Sequence, residues 1–320
     1  MSGPSAPAIR TEELTKVYGR GHKAMTALDG IDLTAPAGAV FGLLGHNGAG
    51  KSTLLRLLST LAAPTSGRAW VGGHDVVTHP ADVRAAIGIT AQQTTLDGRL
   101  SGRENLFVFG RLYGLSRATA RRTAGELLER YDLAAAGDRP VSAYSGGMRR
   151  RLDIASSLLL EPAVLFLDEP TTGLDPHSRT AIWKTVKELA ERGTTVLLTT
   201  QYLEEADHLA ERVAVLDSGR VIADDTPRAL KRRIGLRLSV TLASEESHGT
   251  ACGLLSGLGV FGLPAPTPRA TTITGSVAAG TLTLPSVLAA LNDAGVDVAD
   301  IGLHEPTLDE AYLALTGGPA

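Results

Sequence analysis

One segment of the chain has the residue types and the spacing that bind a polyphosphate. Residues 45–52 read Gly-His-Asn-Gly-Ala-Gly-Lys-Ser, which fits the pattern G-x-x-x-x-G-K-S/T in full. Glycines allow successive backbone N–H groups to converge on phosphate oxygens at a helix N-terminus, where the helix dipole favours anions. We expect Lys51 to reach the β- and γ-phosphates and Ser52 to offer its hydroxyl to Mg²⁺.

This pattern predicts a site for ATP or GTP. His46 occupies a variable position of the pattern, and we assign it no chemistry of its own. The residues predicted to contact the nucleotide in this loop are Gly45, His46, Asn47, Gly48, Ala49, Gly50, Lys51, Ser52 and Thr53.

Two acidic residues follow a second apolar run, Ala-Val-Leu-Phe-Leu at 163–167. Taken alone, Asp168 at the end of a strand could simply cap a helix. Downstream of a phosphate loop, we instead expect Asp168 to hold Mg²⁺ through water. Glu169, the next residue, is then in place to orient and deprotonate the attacking water.

A second glycine-containing turn opens a helix at Ser145, Gly146, Gly147 and Met148. In isolation this pattern is typical of an N-cap followed by a glycine turn. It gains meaning only in combination with the phosphate loop and the acidic pair.

The elements that must position these residues alternate along the chain. Near-continuous apolar strands are predicted at 40–44, 164–167, 194–200 and 213–216, with helices between them. Such strands indicate an α/β fold with a parallel sheet that is buried on both faces. Residues 101–160 have mainly helical patterns, and short β-type segments lie between residues 9 and 44.

A change in composition near residue 233 predicts a domain boundary. The chain after this point is poor in charge, with strand patterns at 236–242 and 272–277 and helical patterns at 285–294 and 307–316. We therefore predict a disordered tail over 1–7, an ATP-binding domain over 8–233 and a small α+β domain over 234–320.

Composition excludes several other classes of protein. The 320 residues contain 31 Lys and Arg against 34 Asp and Glu, so no global attraction to nucleic acid is expected. The single cysteine, Cys252, forms no disulfide or multi-thiolate site within the chain and fits a reducing cytosol. We expect no signal peptide, because the first residues lack an apolar run, and no transmembrane segment, because prolines interrupt the apolar stretch at 249–292.

The order of these motifs resembles the nucleotide-binding subunit of an ATP-binding-cassette (ABC) transporter. Four motifs follow one another within about residues 8–233. They are the phosphate loop, a Gln-led segment, Ser-Gly-Gly and Leu-Phe-Leu-Asp-Glu-Pro-Thr-Thr-Gly-Leu-Asp. The resemblance implies a P-loop NTPase fold with a parallel core, an N-terminal antiparallel β-subdomain and a helical subdomain at about 97–160. The chain resembles exporters of the daunorubicin-resistance type in particular. Two segments carry this closer resemblance, Tyr-Ser-Gly-Gly-Met and the C-terminal Pro-Thr-Leu-Asp-Glu-Ala-Tyr.

The resemblance also implies roles for single residues. Tyr18 lies where the family stacks an aromatic ring on adenine, although a core aromatic is the alternative. Gln92 matches the glutamine that touches Mg²⁺ and links to the membrane partner, and the adjacent Gln93 leaves that register open. Asp175 matches a residue that communicates across a dimer, and Ser145 to Met148 match the signature that contacts nucleotide.

Three positions depart from the family pattern. The signature begins with Tyr144 in place of Leu and ends with Met148 in place of Gln. Gln201 follows the strand at 194–200, where most of the family has His. A glutamine amide can donate a hydrogen bond to a γ-phosphate but carries no proton or positive charge, so we expect slower hydrolysis.

The resemblance further implies partners and a location. Two copies of the chain are expected to enclose two ATP molecules, and a separate multi-span permease to lie in the membrane. The chain would then act at the cytoplasmic face of the cell membrane and power efflux of a hydrophobic drug, natural product or lipid.

Several alternatives stay open at this point. A soluble ABC ATPase acting on ribosomes or nucleic acid, or an import-type ATPase, shares the same motifs. The C-terminal domain either stabilises the homodimer or regulates through the permease or the substrate. The arginines at 149–151 are expected on a solvated helix face, with lipid headgroups as the alternative.

Overall fold

The structure is a computed structural model that describes residues 6–90, 95–263, 271–278 and 282–317. The chain divides into two compact units, Met1–Asp224 and Asp225–Ala320. The predicted tail falls mostly on residues 1–5, which lie outside the described residues. This division comes earlier than the boundary expected at 233 from composition.

The first ten strands are β1 Ile9–Tyr18, β2 Met25–Ala35, β3 Val40–Leu44, β4 Ser66–Val71, β5 His74–Asp75, β6 Ile87–Thr90, β7 Val164–Asp168, β8 Thr195–Thr200, β9 Arg212–Asp217 and β10 Arg220–Asp225. The first seven helices are α1 Lys51–Leu58, α2 Pro80–Ala86, α3 Gly102–Leu112, α4 Arg117–Arg130, α5 Gly146–Ser157, α6 Pro176–Glu191 and α7 Leu203–Leu209. Short 3₁₀ turns occur at Gly21–Lys23, Ala134–Ala136 and Val141–Ala143.

The core of the first unit is a six-stranded sheet in the order β10-β9-β3-β8-β7-β6. The pairs β6–β7, β7–β8, β8–β3 and β3–β9 are parallel. Every residue of β3 and β8 is buried, which explains why these strands are continuous runs of apolar residues and threonine. The predicted α/β fold with a buried parallel sheet is therefore confirmed.

Parallel pairing brings the carboxyl ends of three strands to one edge of this sheet. Leu44 pairs with Thr200, and Asp168 pairs with Thr199. The phosphate-loop segment follows β3, Glu169 follows β7 and Gln201 follows β8. Ligands of open α/β sheets bind outside this edge, so the fold places these predicted site residues on the expected side.

The N-terminal part of the unit forms a second sheet, of four strands in the order β2-β1-β4-β5. Its pairings are antiparallel throughout, with Tyr18 at the end of β1 opposite Met25 in β2. This sheet is the N-terminal antiparallel element that the family resemblance implies.

Helices α3 to α5 form the predicted helical region, and each of them begins with a serine N-cap. Ser101 and Glu104 form a capping box at α3, and the Ser116 hydroxyl accepts from Thr119 N at α4. Tyr144, which replaces the usual leucine, is buried, and its hydroxyl donates to Ala136 O at 2.7 Å. A Cβ on Gly102 would lie 2.4 Å from the tyrosine oxygen, so this glycine makes room for the larger ring.

The second unit is an α+β domain. Its elements are α8 Pro227–Arg232, β11 Leu236–Leu242, a 3₁₀ turn Glu245–Ser247, α9 His248–Gly257, β12 Thr272–Val277, α10 Leu284–Asp293, β13 Val298–His304 and α11 Leu308–Thr316. The three strands pair antiparallel in the order β12-β11-β13. Alternate residues of β11 join Leu255 of α9 and Leu291 of α10 in one apolar core.

Within the described ranges, no helix combines the length and the apolar character that crossing a bilayer requires.

Candidate nucleotide-binding site

The phosphate-loop segment turns sharply between β3 and α1, and its glycines are required by geometry. Gly48 and Gly50 have φ values of +90° and +112°, in the left-handed region that other residues rarely adopt. A Cβ on Gly45 would lie 2.5 Å from Leu216 O, and one on Gly50 would lie 2.8 Å from Ala27 O. The glycine spacing therefore reflects close backbone approach at both ends of the loop.

Lys51 is the first residue of α1, and only 5% of it is exposed. Its Nζ donates to Gly45 O at 2.5 Å and to His46 O at 3.2 Å. Burial lowers the pKa of the ammonium, and the Glu169 and Asp168 carboxylates oppose this shift. A buried positive charge at a helix N-terminus is an environment that favours a polyphosphate.

A cavity of about 290 Å³ opens beside this loop. The loop contributes His46, Asn47, Gly48, Gly50, Lys51, Ser52 and Thr53, and other elements contribute Tyr18, Met25, Thr26, Ala27 and Glu169. Tyr18 is 36% exposed and its ring lines this cavity, which fits adenine stacking and does not fit a core position. The residues present thus fit ATP, and the role of Tyr18 stays a prediction.

The acidic pair at the end of β7 is held by a threonine that sequence reasoning missed. Thr199 Oγ1 donates to Asp168 Oδ1 at 2.5 Å, and Glu169 N donates to Thr199 O at 3.0 Å. Thr172 Oγ1 also donates to Glu169 Oε2 at 3.3 Å. Glu169 has φ +45°, so its backbone is fixed in the sparsely populated left-handed region. The sequence signal for this residue was weak, because Thr199 is one of three threonines in the buried strand β8.

The predicted metal residues fit Mg²⁺ better than a metal held by protein side chains alone. In the described part of the chain, no group of three or more His, Cys, Asp and Glu residues could hold a metal ion. Mg²⁺ is usually bound by one or two protein oxygens together with substrate phosphates and water. The exposed Ser52 and the partly buried Asp168 provide such oxygens. Gln92, the third predicted ligand, lies outside the described residues, as does Gln93.

The signature segment lies elsewhere than the loop cavity. Ser145 is an exposed N-cap whose Oγ accepts from Met148 N at 3.2 Å, and Gly146 is exposed beside it. Neither residue lines the cavity of the phosphate loop. Gly146 instead lines a second cavity, of about 420 Å³, which shares Glu169 with the first.

Asp175 and Gly147 meet at one serine that sequence reasoning also missed. The Ser178 backbone N donates to Asp175 Oδ1 at 2.9 Å, and its Oγ donates to Oδ2 at 2.7 Å. These hydrogen bonds, first of all the one from the backbone N–H, hold the pKa of the Asp175 carboxyl below its usual value. A Cβ on Gly147 would lie 2.4 Å from Ser178 Oγ. The signature helix and the start of α6 are therefore packed as one unit.

Two further predicted residues differ in their relation to the loop cavity. Gln201 is exposed immediately after β8 and does not line the loop cavity. His46 lines the cavity, and its ring nitrogens contact Asn47 O at 2.7 Å and Asp217 Oδ1 at 3.0 Å.

The expectation of a solvated arginine face at 149–151 is wrong for its central member. Arg149 is exposed, but the Arg150 side chain is only 11% exposed. It turns inward because backbone carbonyls near Glu169 accept its hydrogen bonds.

Comparisons with known proteins identify the family of the chain. The family model described as ABC transporter matches residues 28–172. The chain is 50% identical to daunorubicin resistance ATP-binding protein DrrA2 of Streptomyces coeruleorubidus, over 97% of this chain and 95% of that protein. The chain belongs to the ABC transporter family of ATP-binding proteins. It is 44% identical to doxorubicin resistance ATP-binding protein DrrA of Mycobacterium tuberculosis, over 98% of this chain and 94% of that protein.

Solved structures share the fold over about two thirds of the chain. A dimeric ATP-binding cassette in a post-hydrolysis state with ADP and phosphate matches at TM-score 0.62 and 27% identity, over 68% of this chain and 98% of that chain. The resemblance to drug-resistance ABC proteins, the P-loop NTPase fold and ATPase activity are therefore confirmed. The relatives cover nearly the whole chain, so the second unit belongs to the same type of protein.

Proposed function

We propose that this chain is the ATP-hydrolysing subunit of an exporter for a hydrophobic drug, natural product or lipid, which passes through a separate membrane permease. One observation carries the ATPase part: Lys51, Tyr18 and Glu169 all line the same cavity. Relatives named for daunorubicin resistance and for Nod factor export support the transport part. Both are proteins of the same family, and their sequences align with most of this chain.

The phosphate loop binds the triphosphate of ATP in this proposal. Lys51 pairs with the β- and γ-phosphates, and Tyr18 stacks on adenine. Mg²⁺ would be held by Ser52, by Asp168 through water and by Gln92, and would supply positive charge to the phosphate oxygens.

Glu169 acts on the water that attacks the γ-phosphorus. Its carboxylate accepts the proton as the new P–O bond forms, and the bond to the β–γ bridging oxygen breaks to release ADP. Thr172, which donates to Oε2, and Thr199, which fixes the backbone, orient this carboxylate. Gln201 donates a hydrogen bond to the γ-phosphate without the charge of a histidine, which keeps hydrolysis slow.

Each site needs a second copy of the chain. Ser145 is exposed and absent from the loop cavity of its own chain, so it is free to face the γ-phosphate bound by a partner. Ser145 and Gly147 of one copy then complete the site formed by Lys51 and Glu169 of the other. Hydrolysis removes the phosphate that joins the two copies, and the dimer opens.

The proposed dimer works at the cytoplasmic face of the cell membrane. Gln92 and the helical region at 97–160 transmit the opening to the permease. No nucleic acid is expected to bind, because acidic residues slightly outnumber basic ones.

Affinity purification from membranes of the source organism tests the transport part. The tagged chain is extracted in mild detergent, and co-purifying proteins are identified by mass spectrometry. We expect one stoichiometric protein with several membrane spans. The Lys51→Ala variant is the control. It loses the proposed phosphate contact but keeps the outer surface of the chain, so the same membrane protein should co-purify with it. Ribosomal proteins or nucleic acid, with no membrane protein, would contradict the exporter assignment.

A further inference from the structure

The side chain of Arg150 joins the signature helix to the backbone on both sides of Glu169. Its Nε donates to Pro170 O at 2.9 Å, and its Nη2 donates to Asp168 O at 3.0 Å. A planar guanidinium presents its N–H groups in a fixed fork, so these two bonds fix the spacing of the two carbonyls. A lysine, with a single donor centre, cannot reproduce this geometry.

The backbone at Glu169 is held from the opposite side as well. Glu169 N donates to Thr199 O and Thr199 Oγ1, which belong to β8. The left-handed conformation of Glu169, with φ +45°, is unfavourable for a residue with a side chain. It persists because β8 holds the N–H group and Arg150 holds the flanking carbonyls.

Arg150 is itself fixed within α5. Its Nη1 pairs with Asp153 Oδ2 at 3.4 Å, one turn further along the helix, and only 6% of the Asp153 side chain is exposed. Burial lowers the pKa of the Arg150 guanidinium, and Asp153 opposes this shift. Removing one member of a buried ion pair strongly destabilises the folded protein, because the other charge stays buried without its partner. The guanidinium is therefore a rigid part of the helix that Ser145 caps.

We propose that Arg150 is a positioning residue that links the two nucleotide sites of the dimer. This inference rests on the proposed function, in which Ser145 of one copy contacts the nucleotide bound to the other. Because a helix moves as a rigid body, engagement of its N-terminus with the partner's γ-phosphate shifts the Arg150 guanidinium. The shift moves the carbonyls of Asp168 and Pro170 and so aligns Glu169 in the chain's own site. Occupation of one site thereby prepares hydrolysis at the other.

The proposal predicts that Arg150 acts on the glutamate of its own chain. Heterodimers in which one copy carries Glu169→Gln have a single active glutamate, and Arg150→Gln can be placed on either copy. With Arg150→Gln on the copy that keeps Glu169, we expect phosphate release to fall about tenfold or more, as for loss of charged hydrogen bonds. With Arg150→Gln on the copy that already carries Glu169→Gln, we expect the rate of the parent heterodimer. Equal losses in both arrangements would overturn the proposal.

A second readout does not depend on turnover. Without nucleotide, hydrogen exchange of the backbone amides of Glu169, Thr171 and Thr172 should accelerate in Arg150→Gln. Equilibrium binding of a fluorescent ATP analogue should be unchanged, because Lys51 and its loop are intact. Arg150→Lys should restore stability but not the rate, whereas unfolding of both variants would indicate a merely structural role and overturn the proposal.

Two controls separate this inference from the proposed function. Arg149→Gln removes the same charge from an exposed neighbour. Placed on either copy of the heterodimer, it should leave phosphate release and amide exchange as in the parent. If Glu169→Gln forms no ATP-dependent dimer, the proposed two-chain site fails. If the dimer forms and exchange of the same three amides is unaffected by Arg150→Gln, only the role of Arg150 fails.

Discussion

The phosphate loop and the signature segment contrast in how far a single chain completes them. In the loop, Lys51 is 5% exposed and its ammonium already bonds two carbonyls of the turn. In the signature, Ser145 and Gly146 are exposed, and the only hydrogen bond of the Ser145 hydroxyl within the described residues is the helix cap. One half of the site is preformed, whereas the other half presents its polar groups to solvent.

This difference indicates how ATP binding and hydrolysis are divided. A preformed, buried lysine allows one chain to bind nucleotide without a partner. In the proposed dimer, the exposed signature contributes only when a second chain brings it to the phosphate. Substitutions in the loop should therefore impair binding, and substitutions in the signature should impair hydrolysis alone.

The largest effect is expected at Lys51. Lys51→Ala removes the buried charge that faces the phosphates, so affinity for a fluorescent ATP analogue and phosphate release should each fall at least about a hundredfold. Lys184→Ala, on the exposed face of α6, is the matched control and should bind as the parent does. Retained affinity in Lys51→Ala would break the contrast between the two halves.

Gly147→Ala should separate hydrolysis from binding. The new methyl would lie 2.4 Å from Ser178 Oγ, so α5 must shift away from the start of α6. Phosphate release should fall about tenfold or more, while affinity for the ATP analogue stays within about twofold. Gly125→Ala on α4 has only Arg103 Nη1, at 3.8 Å, near the added methyl and should hydrolyse normally. An equal loss of affinity in Gly147→Ala would mean that the signature also forms the primary binding site.

Tyr144→Phe tests what anchors the signature helix. Loss of the hydroxyl removes one of the two hydrogen bonds that the Ala136 carbonyl accepts, the other coming from Arg139 N, and should lower the free energy of unfolding by about 1 kcal/mol. Urea denaturation measures this change. Tyr113→Phe is the control, because that tyrosine is 51% exposed, and its midpoint should not move. A parent-like midpoint for Tyr144→Phe would show that the hydrogen bond is not what secures this ring.

Gln201→His should give the smallest effect. In the proposed site, an imidazole at this position faces the γ-phosphate and can carry a proton, so turnover should rise a few-fold and become pH-dependent between about pH 6 and about pH 8. The parent should show a flatter profile over the same range. Unchanged turnover throughout that range would mean that this position does not limit hydrolysis.

The sequence predicts the local motifs of the molecule well. The phosphate loop is a contiguous turn between an apolar strand and a helix, so its residues can be found without any long-range contact. The parallel sheet was predictable because the buried strands β3, β7 and β8 are nearly continuous apolar runs. Strand β12 matches its predicted range at residues 272–277.

Long-range packing explains what sequence reasoning missed. Arg150 looked like one of three solvated arginines, because the carbonyls that bind it lie 18 and 20 residues away. Tyr144 looked like an unexplained departure, because the glycine that accommodates it lies in α3. Helix α9 escaped prediction because its three glycines disfavour a helix, and burial of Ala251 and Leu255 against the sheet outweighs that preference.

The central claim is that each ATP site is completed by a second chain. Size-exclusion chromatography with light scattering, applied to Glu169→Gln with and without ATP, tests it most directly. Because this variant binds ATP but cannot deprotonate the attacking water, the account predicts a monomer without nucleotide and a stable dimer with ATP. A variant that binds ATP yet remains monomeric at every protein concentration would contradict the account.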